Sequence, residues 1–147
     1  MPFSGGFSIP SPRCSAEDCE DFQVPSTPSV ALTRLLEARA HLRQASRESS
    51  PARCYAAAYL AALRVAAAIA LDRSQLADRR PQSAWKLLDD AAPEYTQWAQ
   101  FFAARSQRRL LAESGSSSIT AAEAAEMQQR AAEFLQAASR GLSGVAR

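Results

Sequence analysis

Residues that bind metals or carry redox chemistry are scarce in this sequence. It contains one histidine, at position 41, and three cysteines, at positions 14, 19 and 54. Cys14 and Cys19 lack the second ligand pair of a structural zinc site, so we expect no metal and no other cofactor. The N-terminus has no basic segment followed by an apolar stretch, which argues against a secretory signal. We therefore predict a cytoplasmic protein with reduced thiols.

Short catalytic signatures are also missing. The sequence has no glycine-rich phosphate loop, no paired cysteine sites and no serine next to a histidine. Asp89 and Asp90 are adjacent, so their side chains diverge on a helix and cannot share acid–base work. No single motif therefore identifies an enzyme class.

Lysine is almost absent: 16 of the 17 basic residues are arginine, and the other is Lys86. Coding composition explains this bias most simply, and selection for guanidinium groups that grip phosphate or carboxylate is the alternative. The net charge of +2 is too small to indicate a dedicated nucleic-acid-binding protein. The charge is also uneven: Arg13 and four acids give residues 1–26 a charge of −3, and the remaining 16 basic and 11 acidic residues give +5.

Alanine, by contrast, is abundant, and it favours helices that pack closely. The run CYAAAYLAALRVAAAIALD, residues 54–72, is almost wholly apolar but has Arg64 in its middle. A membrane span needs about 18 to 20 strongly apolar residues, so we interpret this run as a buried helix of a soluble protein and expect no membrane. Arg64 should then reach the rim of the bundle or pair with an acid, the candidates being Asp89, Asp90 and Glu94.

Composition and periodicity divide the chain into three segments. Residues 1–26 hold four of the eight prolines and show no periodicity, which predicts a disordered acidic tail. Residues 27–142 are predicted to form a helical bundle, and residues 143–147 a flexible C-terminus.

The predicted fold is all-α, an up-and-down bundle of four long helices and one short helix. The long helices are expected over residues 28–46, 51–72, 93–114 and 121–140, and the short helix over residues 83–92. Ser50 and the pair Thr120 and Glu123 provide N-terminal caps, while Gly115 and Gly141 are expected to end helices.

Helical wheels predict which side chains face the core. In the first helix the apolar arc contains Leu32, Leu35, Leu36 and Leu42, with Arg39 in its middle. In the helix at 93–114 it contains Tyr95, Trp98, Ala99, Phe102 and Leu110, with Arg109 on the arc and Arg105 at its border. In the last helix it contains Ala124, Met127, Ala131, Phe134, Leu135 and Ala138.

Three segments carry a resemblance to a known group of proteins. RCYAAAYLAALRVAAAIAL (53–71), SAWKLLDDAAPEYTQWAQFFAARSQRR (83–109) and AAEMQQRAAEFLQAA (124–138) together resemble an actinobacterial branch of the HEPN superfamily. The resemblance implies a HEPN-like bundle that is often a homodimer. Many HEPN proteins are metal-independent ribonucleases whose motif is an Arg, four to six intervening residues and then a His, usually in a late helix. Other branches lack this motif and bind nucleotides or partner proteins.

This sequence departs from the ribonuclease pattern. Its only spacing match is Arg34 with His41, in the first long helix. A separation of seven stacks both side chains on one helix face, where His41 could act as general base toward a ribose hydroxyl and Arg34 could neutralise the phosphorane. The alternatives are an exposed surface pair or a dimer contact.

Other arginines are candidates for binding a ligand or nucleic acid. Arg105 and Arg109, beside aromatic residues, could contact phosphates, or could lie along the bundle as structural residues. Arg39 and Arg64 could converge on an anion in a groove between helices, with Tyr59 in its lining, or each could satisfy a local acid.

These observations lead to two functional hypotheses. The first is a non-catalytic HEPN-like binding module for a protein partner or for a nucleotide or RNA element, with a homodimer allowed. The second is a metal-independent endoribonuclease that uses Arg34 and His41 at a dimer cleft.

Overall fold

The computed structural model describes residues 30–73 and 83–146, with side chains up to residue 142. The described residues contain no strand, and the all-α prediction is confirmed. Helix α1 covers residues 30–47, and a 3-10 turn, Pro93–Tyr95, precedes α4. The remaining helices are α2 (Pro51–Asp72), α3 (Ala84–Ala91), α4 (Thr96–Ala103), α5 (Ser106–Glu113) and α6 (Ala121–Ala146). The predicted tail, residues 1–26, lies outside the described residues.

Polar side chains fix where the helices begin. The Ser50 hydroxyl accepts a hydrogen bond from the Arg53 amide at 3.3 Å, at the start of α2. At the start of α6, the Glu123 amide donates to the Thr120 hydroxyl at 3.0 Å, and the Thr120 amide donates to the Glu123 carboxylate at 2.9 Å. Each bond satisfies an amide that has no partner within its helix, and the predicted caps are confirmed.

Helix α2 lies at the centre of the bundle. Helices α3, α5 and α6 all pack against it, α6 most extensively. Its length and apolar composition alone would allow it to cross a membrane, but 67% of its most apolar stretch is buried by the other helices. Burial inside a bundle accounts for this composition, so the structure is compatible with a soluble protein.

An aromatic cluster connects α2 to three other helices. Its centre is Tyr59, whose hydroxyl donates to the Phe102 carbonyl and accepts from the Trp85 indole N–H, both at 2.8 Å. Trp85 stacks on Phe102 with 4.9 Å between ring centroids, and Phe134 of α6 contacts both rings. The hydroxyl of Tyr59 is fully buried but uses both a donor and an acceptor site, so its burial carries little cost.

The helix predicted over residues 93–114 is divided in the structure. The regular ladder ends at Ala104, because the Arg105 amide donates to the Phe102 carbonyl at 3.0 Å, three residues back, and not to the Phe101 carbonyl. Tyr59 donates to the Phe102 carbonyl, and the Arg105 guanidinium donates to the Phe101 carbonyl at 2.9 Å. Side chains that insert into the ladder are a recognised cause of helix breaks.

This break changes the register of α5. The predicted arc assigned Leu110 to the core, but Leu110 is 55% exposed, and Ala112 faces inward instead. The prediction for Leu110 was wrong because a wheel drawn through residues 93–114 assumes one continuous helix.

Gly141 was predicted to end the last helix, which is wrong because α6 continues to Ala146. The reason for a glycine at this position is packing. A β-carbon at residue 141 would lie 2.5 Å from the Tyr95 hydroxyl oxygen, so only glycine allows Tyr95 to approach α6 this closely. All six residues predicted on the inward arc of α6 are buried, as expected.

Helix α1 is buried along one face only. Ala31, Leu35, Ala38 and Ala45 form that face, and Leu42 packs partly against it. Leu32 and Leu36, which were predicted to lie on the same arc, are 51% and 62% exposed. The buried face follows residues that recur every three or four positions, whereas Leu32 and Leu36 each lie about 100° further round the helix from Ala31 and Leu35.

Candidate functional site

A groove of about 490 Å³ lies between α1, α2 and α5. Small and apolar side chains form its floor, and polar or charged side chains form its rim. The floor consists of Ala56, Ala57, Leu60, Leu63 and Ala112. The rim consists of His41, Gln44, Glu48, Arg53, Arg109 and Glu113.

Helical spacing explains why these residues meet. His41, Gln44 and Glu48 are three and four residues apart, so they project from one face of α1. On α2, the lining residues extend from Arg53 to Leu63, about 15 Å of helix length. The groove is therefore about three helical turns long.

Charges along the rim are balanced. Arg109 Nε lies 2.8 Å from a carboxylate oxygen of Glu113, and its guanidinium is 5.4 Å from the centre of the Tyr59 ring. Arg53 and Glu48 add one charge of each sign to the rim. The groove thus offers an apolar floor between compensated charges, without a cluster of free cations.

The two residues of the ribonuclease hypothesis share one face of α1 but have different surroundings. His41 lines the groove, whereas Arg34 does not and is held by Glu37, with its Nη1 3.0 Å from the carboxylate. This ion pair occupies the guanidinium that a phosphorane would need.

Arg64 of α2 pairs with the same carboxylate, with Nε 3.7 Å from Glu37 Oε1. That distance is too long for a hydrogen bond, and the buried Nε has no hydrogen-bond partner. The expected acids were therefore the wrong ones. Each of them has another partner: Asp89 bonds Thr96, Asp90 lies 3.6 Å from Lys86, and Glu94 bonds Arg73.

Arg39 and Arg64 lie at different places. Arg64 contacts Glu37, whereas Arg39 follows Glu37 by two residues and so projects from nearly the opposite side of α1. Tyr59 is fully buried in the aromatic cluster. We therefore do not place these three residues in one ligand site.

Arg105 and its neighbours line a second cavity, of about 320 Å³, at the break between α4 and α5. The Arg105 guanidinium lies 3.6 Å from the centre of the Phe101 ring. Tyr55 also lines the cavity, and burial raises the pKa of Tyr55 to about 12, so its phenol stays protonated. Arg108 donates two hydrogen bonds to the Glu123 carboxylate, and Glu126 adds a further negative charge. This cavity is also without excess positive charge.

Sequence reasoning missed most of the groove rim, including Gln44, Glu48 and Arg53. The available signal was the three- and four-residue spacing of polar side chains on the inner half of α1. It was not decisive, because the same spacing occurs on any solvent-exposed helix face.

Comparison with known proteins gives one match. The model of the HEPN_SAV_6107-like HEPN family matches residues 45–139, about two thirds of the chain. The match begins near the end of α1 and covers α2 to α5 and most of α6. No curated protein and no solved structure gives a significant match.

Proposed function

The chain belongs to the HEPN_SAV_6107-like HEPN family, and from that premise we propose that it is a non-catalytic binding module whose groove binds a helix of a protein partner. The groove is the one between α1, α2 and α5, with His41 and Gln44 on its rim and Leu60 on its floor.

The observation that carries this proposal is the balance of charge around an apolar floor. An amphipathic helix binds by placing apolar side chains into such a floor at intervals of three and four residues.

A phosphate-containing ligand fits this groove less well. Phosphate recognition requires guanidinium groups free to donate two parallel hydrogen bonds. Arg109 is already paired with Glu113, and Glu48 would repel an anion near Arg53. We therefore favour a protein over a nucleotide or RNA element.

The ribonuclease hypothesis lacks support at Arg34. Its guanidinium is paired with Glu37, which also contacts Arg64, so one carboxylate faces two cations. A transition state with developing negative charge would have to compete with this carboxylate. Non-catalytic binding therefore remains our proposal.

Site-specific photocrosslinking in the native cell tests the proposal. A photoreactive amino acid replaces Gln44 on the groove rim, and the control replaces Gln136, which is exposed on α6. We expect a protein adduct at position 44 that is absent at position 136 and is lost when Ala56→Arg fills the groove floor. Mass spectrometry should map the adduct to an amphipathic helix of the partner.

The two hypotheses predict opposite results with RNA. Purified protein should leave RNA intact in the presence of a chelator. RNA adducts at position 44, or RNA cleavage that His41→Ala abolishes, would contradict the proposal.

A further inference from the structure

The outer face of α1 carries an exposed stripe that faces away from the groove. It begins with Leu32 and Leu36, which are 51% and 62% exposed, and continues with Arg39, Arg43 and Arg47, all exposed. At 100° per residue, these five side chains fall within about 80° of the helix circumference. Apolar groups therefore lie at one end of the stripe and positive charges at the other.

The three arginines of the stripe have no ion pair or side-chain hydrogen bond among the described residues. Arg34, Arg108, Arg109 and Arg130 are each paired with a glutamate. Spaced four residues apart, Arg39, Arg43 and Arg47 also repel one another along α1. A negatively charged occupant would remove this repulsion.

We propose that the acidic N-terminal segment of the same chain, residues 18–24, folds back along α1 and occupies this stripe. Residues 1–26 carry a net charge of −3, against +5 for the rest of the chain. Four acids fall within residues 17–21, three of them in this segment, and Phe22 and Val24 follow. The segment thus has the same apolar-to-charged order as the stripe when the two run antiparallel.

Seven residues, 25–31, separate Val24 from Leu32, and they include the turn-forming stretch PSTPS. This connection is long enough to reverse the chain direction. The contact is separate from the proposed groove, because it uses the opposite side of α1.

Paramagnetic relaxation in the full chain tests the contact. A nitroxide is attached to Cys19 in a Cys14→Ser, Cys54→Ala background, and attenuation of amide signals is measured against the reduced nitroxide. We expect at least fivefold attenuation for residues 39–47 in low salt. A random coil would also bring Cys19 near α1, because the eleven residues from Cys19 to the start of α1 span about 18 Å on average. Charge variants therefore distinguish a specific contact from a random coil.

Reversing the stripe with Arg39→Glu and Arg43→Glu should reduce attenuation at residues 43–47 at least threefold. Adding Asp18→Arg and Glu20→Arg should restore it. Arg140→Glu, an exposed site on α6, is the matched control and should change nothing. A reversal variant that loses the α1 helix can be replaced by a salt experiment. Raising sodium chloride to about 0.5 M screens the charges in the chain without reversals and should lower the attenuation by a similar factor.

Two results would overturn the proposal. Attenuation that changes with neither charge reversal nor salt would show that the N-terminal segment does not bind the stripe. Attenuation that occurs only between separate labelled and isotope-enriched molecules would assign the stripe to the N-terminal segment of a second copy.

Discussion

Helices α1 and α2 look alike in sequence but are used differently by the fold. Both are rich in alanine and leucine, and both carry an arginine within an apolar run. Helix α2 is enclosed by its neighbours, with Ala58, Tyr59 and Ala62 fully buried. Helix α1 buries one narrow face and exposes Leu36 at 62%.

The arginines of the two helices differ in whether the bundle supplies an acidic partner. Arg64 lies on an enclosed helix, and the bundle supplies Glu37 as its counter-charge. Arg39, Arg43 and Arg47 lie on a helix open to water, where an arginine needs no partner. Because the family match begins at residue 45, most of α1 lies outside it. The two helices differ in burial: α2 is enclosed by the rest of the bundle, whereas α1 leaves a broad face exposed.

The largest expected effect is a core truncation on α2. Ile69→Ala removes a side chain that is 1% exposed and should lower the free energy of unfolding by about 3 kcal/mol. Leu36→Ala on α1 should change it by less than about 0.5 kcal/mol. Urea unfolding followed by circular dichroism measures both, and equal losses would contradict the contrast between the helices.

Tyr59→Phe tests the link from α2 to the break in the neighbouring helix. It leaves the Trp85 N–H without an acceptor and removes a donor from the Phe102 carbonyl. We expect a loss of about 2 kcal/mol in the free energy of unfolding. Amide exchange at Arg105 should also change, because its acceptor, the Phe102 carbonyl, loses the second donor that holds it in place. An unchanged stability would show that packing alone fixes the break.

Gly141→Ala tests how closely α6 is held over the bundle. The added β-carbon would lie 2.5 Å from the Tyr95 hydroxyl oxygen, and such overpacking should cost about 1.5 kcal/mol. Tyr95→Phe removes that oxygen and should restore most of the loss in the double variant. A double variant as unstable as Gly141→Ala alone would argue against this contact.

The smallest effect concerns a paired arginine. The Arg108 guanidinium beside Glu123 holds the pKa of that carboxyl below its usual value. A carboxyl whose pKa is lower in the folded state stabilises the protein at pH values above its unfolded-state pKa of about 4.3. This stabilisation is lost as the pH falls through the folded-state pKa. Glu123→Gln should therefore lower the urea midpoint slightly at pH 7 but not at pH 3. A difference that persists at pH 3 would point to packing instead.

Patterns within single helices were sufficient for much of the fold. The bounds of α2, its cap at Ser50 and the inward face of α6 could be predicted because each depends on residues close in sequence. The break at Ala104 and the role of Gly141 could not be predicted. Both depend on contacts with distant residues, Tyr59 and Tyr95 respectively.

The candidate site was harder to predict for the same reason. His41 was identified from its spacing to Arg34, yet the structure pairs Arg34 with Glu37 and places His41 in a groove built by three helices. Helical spacing shows which residues share a face. It does not show which face meets a neighbour, so the acid beside Arg64 was assigned to the wrong helix.

Native-state hydrogen exchange tests the contrast between α1 and α2 most directly. Amides of residues 57–70 should exchange only through global unfolding, with the same denaturant dependence as the whole protein. Amides of residues 34–40 should exchange at least 100-fold faster through local opening of α1. Exchange in α2 that is as fast as in α1, with little dependence on denaturant, would contradict the enclosed central helix.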